Sequence, residues 1–293
     1  MTGLILIDKP GGCTSHDVVN RWRRLANTRR TGHLGTLDPM ATGLLALLTG
    51  SATRLAKFFS NNEKTYLAGI TLGLTSDSYD AEGAVVDTGI PPPADPALIA
   101  AALDTFRGRF LQTPPPVSAK KIAGVPAYKL ARKRIPVELA PVEVEVNRLE
   151  IRSVSTTSVE ILVTCSAGTY IRGIAHDLGQ LVGCGAILSS LRRIRAGEFS
   201  VDQAHTLDHL GLLSAEGRLA EAVIPAGQLL EQIPAEYVDS SAEAQIRQGR
   251  DFRTSPFTIP PGAPRVRALS QSGDLIAIGE LKMPNFYHPS TVL

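Results

Sequence analysis

The stretch Gly32-His33-Leu34-Gly35-Thr36-Leu37-Asp38-Pro39-Met40-Ala41-Thr42-Gly43-Leu44-Leu45 sets one carboxylate, Asp38, in a loop of glycine, threonine and proline. An uninterrupted apolar run over residues 44–48 follows it. Pro39 fixes its own φ and pushes Asp38 toward an extended backbone. Gly32, Gly35 and Gly43 allow sharp turns and the close approach of a ligand. A lone aspartate held rigidly at the mouth of an apolar element has the setting of a nucleophile. An isolated Leu-Asp-Pro is ordinarily just a turn. What surrounds the loop decides between the two.

The chain has 293 residues, 43% of them hydrophobic, enough for one large domain with a small one, or two medium ones, around a sizeable core. The net charge of +2 hides an uneven distribution. Residues 18–37 hold five arginines and no acid, and residues 105–137 hold eight basic residues and no acid. Residues 198–243 reverse the sign, with nine acids against Arg218 alone. Two basic segments suit a polyanion held on one face, although a solvated basic helix has the same composition. Cys13, Cys165 and Cys184 form no C-x-x-C pair, so neither a zinc site nor a disulfide scaffold is indicated, and reduced thiols in the cytoplasm are expected. The N-terminus lacks a signal-peptide pattern, and no apolar stretch approaches the ~18 residues that span a bilayer.

Strands are predicted over residues 4–7, 65–72, 142–154, 157–165 and 187–194, from their β-branched and apolar content. Thr14 or Ser15 caps a predicted helix reaching Leu25, with Val18, Val19, Trp22 and Leu25 at helical spacing. A short helix is expected over 51–59. Asp95 and Pro96 open another, running to Phe106, with Leu98, Ile99, Ala102, Leu103 and Phe106 as its apolar face. Residues 169–182 read as an amphipathic helix. The mixture lacks regular βαβ alternation, which favours α+β. Past Ala196 the texture is acidic and helical as far as Ile233-Pro234. The last sixty or so residues read as a separate unit, with a helix near 242–248 and a hairpin whose strands, 265–269 and 275–281, meet at Gln271-Ser272-Gly273-Asp274. From Arg247 onward this unit carries six basic residues against three acids.

The loop at Asp38 closely resembles the motif G-H-x-G-(T/A)-L-D-P-x-A-(T/S)-G of the TruB family of tRNA pseudouridine synthases. Five further segments match. Asp8-Lys9-Pro10-Gly11-Gly12-Cys13-Thr14-Ser15 is similar to the family's D-K-P-x-G-x-(T/S)-S, a turn at a helix start where backbone N–H groups and the Lys9 charge would meet phosphate. Lys64-Thr65-Tyr66 resembles K-x-Y. Ser118 to Arg132 resembles S-A-x-K-x-x-G-x-x-A-Y-x-x-A-R, an all-positive, glycine-hinged candidate for RNA backbone contact. Cys165-Ser166-Ala167-Gly168-Thr169-Tyr170-Ile171-Arg172 with Asp177-Leu178-Gly179 resembles C-S-x-G-T-Y-I-R…D-L-G. Leu191-Arg192-Arg193 matches L-R-R, a leucine lining the base pocket beside arginines on a basic surface. The tail from residue 236 is more loosely similar to a PUA-type RNA-binding module.

The resemblance implies an α+β pseudouridine synthase fold with a mixed, mainly antiparallel sheet flanked by helices over 1–235, and a small β-rich PUA-like domain over 236–293. It implies isomerisation of uridine 55 in the T loop of elongator tRNAs, with the uridine flipped out of its stack and neither metal nor cofactor required. Asp38, Tyr66 and Arg172 would be catalytic. His33, Tyr66, Tyr170, Leu191 and Lys9 would bind substrate, His33 filling the gap or stacking on the loop. Arg172 would hold Asp38 ionised, since a bidentate guanidinium lowers a carboxylate pKa; otherwise it pairs with another acid such as Asp177. The Tyr66 ring would stack on the flipped base, and its hydroxyl would be available to accept the C5 proton. A monomer in the cytoplasm acting on the tRNA T arm is expected, with an RNA-folding role possible in addition. A non-catalytic RNA-binding protein on the same scaffold needs none of Asp38, Tyr66 and Arg172. A related synthase acting on another RNA, or the guide-RNA-dependent branch of the superfamily, would need them all.

Overall fold

The computed structural model describes residues 1–116, 121–122, 125–126 and 139–293. Apart from two-residue strands at Lys121–Ile122 (β8) and Val125–Pro126 (β9), the basic segment over 118–132 lies outside the described residues, as do Lys133 and Arg134.

One large sheet organises the chain. Its path runs Ile224–Pro225 (β14), Gly3–Lys9 (β1), Thr42–Thr49 (β3), Ala186–Ala196 (β12), Lys64–Leu72 (β4), Ser158–Cys165 (β11), Val142–Val154 (β10) and Gly108–Gln112 (β7). Thr31–His33 (β2) adds to β3, and Phe199–Ser200 (β13) to β12. Every pairing in it is antiparallel except β12 on β3. A small hairpin of Leu74–Ser76 (β5) and Val85–Asp87 (β6) follows β4. β1 and β3 are buried along nearly their whole length, as continuous apolar runs are when both faces of a sheet are covered.

On the first face lie helices α1 (Ser15–Leu25), α2 (Pro96–Asp104), α3 (Ile171–Leu181) and α4 (Leu207–Ala215). α1 starts at a capping box: the Asp17 N–H donates to Thr14 Oγ1 at 3.1 Å, and the Thr14 N–H donates to Asp17 Oδ2 at 2.9 Å. Val18, Val19 and Trp22 are buried beneath it as the spacing required. α2 begins on the Asp95 cap with Pro96 at its first position. Its buried residues are Ile99 and Leu103, whereas Leu98, expected on the apolar face, is 57% exposed: the helix touches the core along one narrow stripe, and the position beside Ile99 turns away. The helix expected over 51–59 is a 3₁₀ helix, Gly50–Phe58.

The C-terminal unit is a five-stranded sheet in the order Ala235–Tyr237 (β15), Arg265–Leu269 (β17), Leu275–Met283 (β18), Phe286–Val292 (β19) and Phe252–Arg253 (β16), with helix α5 (Ser240–Arg247) against it. It has a core of its own around Ile246, Phe252, Val266, Ile276 and Tyr287. It also packs against the large sheet. Leu269, Leu275 and Ile278 share one cluster with Leu4, Leu6, Leu44 and Leu48 from the second face of the large sheet, and with Leu55 and Phe59 of the 3₁₀ segment. An apolar sheet face must be covered by another layer, and this unit supplies it. β15 begins at Ala235, so the second sheet already includes the residue before the expected boundary.

Arg267 fastens the two layers. It is 8% exposed, and its guanidinium donates to the carbonyls of Ile233 (2.8 Å), Gly227 (3.1 Å) and Leu229 (3.2 Å). Arg267→Ala leaves these carbonyls without their donor, so a loss of about 2–4 kcal/mol of unfolding free energy is expected in urea titration, because each buried polar group stripped of its partner costs about 1–3 kcal/mol. A loss below about 0.5 kcal/mol would place the variant among ordinary surface substitutions and refute the fastening role.

Candidate active site

Two loops meet at one end of β1 and β3. The Gly12 N–H donates to Pro39 O at 3.0 Å, and the Ala41 N–H to Asp38 O at 3.1 Å. Ser15 Oγ takes the Leu37 N–H at 2.8 Å and donates back to Leu37 O at 3.1 Å. Lys9 lies at the centre of the junction. It is fully buried, and its ammonium donates to the carbonyls of Ala41 (2.6 Å), Pro10 (2.9 Å) and Pro39 (3.0 Å). The expected phosphate contact through Lys9 is therefore corrected: this lysine ties the Asp38 loop to the preceding turn from inside. Burial lowers its pKa, opposed by nearby groups including Asp38.

Arg172, on the first turn of α3, reaches Asp38 with two prongs. Nε lies 2.9 Å from Asp38 Oδ2, and Nη2 donates to Oδ1 at 3.3 Å. The remaining nitrogen, Nη1, donates to Ser78 O at 2.9 Å and lies 3.3 Å from Asp80 Oδ2. An acid that shares Arg172 with Asp38 is thus Asp80. The side chains of Arg172 and Asp80 are 6% and 4% exposed, and that of Asp38 33%, so this arrangement presents one carboxylate outward and keeps its supports inside. Burial pushes the Asp38 carboxyl above the ordinary carboxylate range; Arg172 pulls it back and Asp80 adds to the rise. Arg172 lowers this pKa as expected, but desolvation outweighs the ion pair and the net shift is upward.

Tyr66 on β4 faces Arg193 on the neighbouring β12. Burial raises the Tyr66 phenol, while Arg193, hydrogen-bonded to it, pulls the other way; the Asp38 charge is near enough to add to the rise. Leu191 is buried in the same cluster as Tyr66 and Ala68. Arg193 was expected on a basic surface, but it is 1% exposed, donating to Leu44 O at 2.7 Å and Gly35 O at 3.1 Å. Arg192 forms a bidentate pair with Asp8 at 2.8 and 3.0 Å. His33 is half-buried on β2; burial, then Arg193 and His16, lower its pKa, and its Nδ1 is buried with no hydrogen-bond partner among the described residues. Tyr170 is half-buried at the start of α3. Its N–H donates to Gln112 Oε1 at 2.8 Å and its carbonyl accepts from Gln112 Nε2 at 2.9 Å. Gln112 so caps a helix start that has no side-chain cap of its own.

The geometry brings Asp38, Arg172 and Tyr66 near one another, with Leu191 in the same buried cluster as Tyr66. Sequence reasoning missed Asp80, Ser78, Gln112 and the buried role of Arg193. Asp80 lies in Asp77-Ser78-Tyr79-Asp80-Ala81-Glu82-Gly83, whose composition is that of any polar turn. An ionised, partly exposed carboxylate beside an apolar wall can attack an electrophilic carbon or stabilise developing positive charge. No group of His, Cys, Asp and Glu able to hold a metal occurs among the described residues.

The family description "TruB family pseudouridylate synthase (N terminal domain)" matches residues 23–171, and "tRNA pseudouridylate synthase B C-terminal domain" matches residues 172–231. The chain is 50% identical over 293 residues to tRNA pseudouridine synthase B of Solibacter usitatus, covering 100% of both. It is 40% identical over 284 residues to tRNA pseudouridine synthase B of Aquifex aeolicus, covering 96% of each. Its fold is similar to a chain in the structure of an H/ACA RNP bound to a substrate RNA containing 2′-deoxyuridine, with TM-score 0.70 and 24% identity over 99% of this chain and 84% of that one.

A carbon-detected NMR titration of the Asp38 carboxyl should give a midpoint above the model-peptide value of about 3.9. In Asp80→Asn the midpoint should fall, since the variant removes a repelling charge and leaves Arg172 to Asp38. A midpoint that rises or stays put in Asp80→Asn would refute the sharing of Arg172 between the two acids.

Proposed function

The chain belongs to the TruB family of pseudouridine synthases and forms pseudouridine in tRNA, and from that we propose that its target is uridine 55 of the T loop and that Asp38 is the essential group. The observation that carries this reading is the two-pronged grip of Arg172 on Asp38, which orients one partly exposed carboxylate at the site. The uridine leaves the T-loop stack to reach it. The C1′–N1 bond breaks, the uracil turns over and a C1′–C5 bond forms; C5 gives up its proton and N1 regains one, so the reaction is redox-neutral. Asp38 meets the nucleoside as nucleophile or as the charge that assists glycosidic cleavage. The Tyr66 ring and Leu191 receive the base, while His33 and Tyr170 bind the loop around it. Burial keeps the Tyr66 phenol protonated at neutral pH, so its hydroxyl accepts the C5 proton only by giving up its own.

The partner is the tRNA T arm, held by the exposed Arg29 and Arg30 beside β2 and by Arg107 and Arg109 on and before β7. The C-terminal PUA-like sheet adds contacts through cations laid on aromatic rings: Arg253 on Phe286, and Arg265 on Phe58. The protein acts as a monomer, and its three free cysteines fit a reducing cytoplasm.

The decisive experiment maps pseudouridine in an unmodified tRNA transcript after incubation with the protein. Product at position 55 is expected with wild type. Asp38→Asn is expected to abolish it while leaving the dissociation constant within about three-fold, because phosphate contacts survive loss of the nucleophile. Multiple-turnover activity in purified Asp38→Asn would refute the assignment. Tyr66→Phe separates two roles of one side chain. If the hydroxyl serves in C5 deprotonation, the single-turnover rate falls at unchanged affinity; if Phe works as well as Tyr and Leu does not, the ring acts by stacking alone.

A further inference from the structure

The turn over residues 76–83 delivers both groups that flank Asp38 on Arg172, the Ser78 carbonyl and the Asp80 carboxylate. Two backbone bonds rest it on β12: the Leu188 N–H donates to Tyr79 O, and the Ala81 N–H donates to Leu188 O, both at 3.0 Å. Inside the turn, Ser76 Oγ donates to Asp80 O at 2.6 Å and Ser78 Oγ to Asp80 Oδ1 at 2.5 Å. Between Ser78 and Asp80 stands Tyr79, with φ at +66°. That left-handed conformation is unfavourable for a bulky side chain and persists only where its surroundings hold it.

What lies against Tyr79 is His176. The two rings are stacked, with centroids 3.8 Å apart and planes 9° from parallel. His176 sits one helical turn after Arg172 on α3. Burial lowers the His176 imidazole and raises the Tyr79 phenol, with Asp177 the charged neighbour of both, so two neutral rings are in contact at pH 7. Besides the Arg172 contacts themselves, this ring stack joins the turn that carries Ser78 and Asp80 to the helix that carries Arg172. Neither ring has a hydrogen bond or ion pair to Asp38 among the described contacts, and both are half-buried at the rim, outside the main apolar cluster.

We propose that the Tyr79–His176 stack is a positioning element for the reaction: it holds the strained turn in register with α3, so that Ser78 and Asp80 aim the Arg172 guanidinium at Asp38. The proposal rests on the reading of Asp38 and Arg172 as the catalytic pair. It adds two residues to the machinery that contribute by geometry alone. A shift of the turn by a fraction of an ångström would redirect Nη1, and the rigid planar guanidinium would carry that error to Asp38.

The test uses full-length protein and an unmodified tRNA transcript, with single-turnover rate at saturating enzyme and dissociation constant measured separately. His176→Ala and Tyr79→Ala should each slow the chemical step about ten-fold or more, with binding changed less than about three-fold. The double variant should be no slower than the worse single one, since either change removes the same contact. His176→Phe and Tyr79→Phe keep a flat ring and should recover a rate within about two-fold of wild type. Tyr79→Gly relieves the backbone but has no ring, and should remain slow; full activity there would show that strain matters and the stack does not. Ala variants that retain the wild-type rate would overturn the proposal. So would a Tyr79→Ala variant that loses affinity at unchanged rate, which would make Tyr79 an RNA contact. If an Ala variant fails to fold by circular dichroism, Tyr79→Leu and His176→Gln replace it, with the same slowing expected. Activity in Asp38→Asn, measured in parallel, would identify a failure of the catalytic reading as distinct from a failure of this one.

Discussion

The parallel contact of β3 with β12 is the joint on which the molecule depends. Here Thr42 pairs with Arg192 and Gly43 with Arg193, in a sheet whose other neighbours are antiparallel. Gly43 has φ +95°, and a Cβ on it would stand 2.3 Å from the Arg193 carbonyl oxygen. A residue of any other type would force the strands apart. The joint connects β14-β1-β3 to β12-β4-β11-β10-β7, and each half brings part of the site. The loop entering β3 carries Asp38, whereas α3, which precedes β12, carries Arg172. Arg193 reinforces the joint from within by bonding to Leu44 O on β3 and to Gly35 O in the Asp38 loop.

Burial then sets the chemistry. Charged groups taken from water are costly unless paired, and here nearly all are paired with carbonyls or with each other. Lys9 gives its ammonium to three carbonyls, Arg193 bonds to two, and Arg172 stands between two carboxylates. Asp38 keeps a third of its side chain exposed. The cost of this arrangement appears as a carboxyl pKa raised by desolvation, while its orientation is set by a guanidinium that cannot lose its charge. A rigid, partly dehydrated carboxylate interacts more strongly with developing positive charge than one in water would.

The C-terminal unit enters the same account through packing. The second face of the large sheet is apolar along β1 and β3, and it is covered by β17, β18 and the 226–233 segment. Any RNA contact this unit makes is therefore held at a fixed position relative to Asp38, through Arg267 and the shared cluster. Its cation–aromatic contacts at Arg253 and Arg265 lie on side chains that remain exposed or half-exposed.

The local texture was legible in the sequence because it depends on near neighbours. The capping box at Thr14, the Asp95-Pro96 helix start, the apolar runs of β1 and β3 and the 271–274 hairpin turn all follow from residues a few positions apart. The motif string around Asp38 and the Tyr170-Ile171-Arg172 segment marked out a nucleophile candidate and its guanidinium partner. Which acids share Arg172 was decided only in three dimensions, since Asp80 sits in a turn with no distinguishing pattern and reaches Arg172 through β12. Lys9 and Arg193 read as surface charge because nothing in their neighbours says which strands will close over them. The same holds for the pKa of Asp38: sequence named the partner that lowers it, and the depth of burial, a property of the whole fold, reversed the sign. Leu98 turned outward and the C-terminal unit turned inward for one reason. Apolar character states that a residue or a face can be buried, and only the final arrangement of layers determines which ones are.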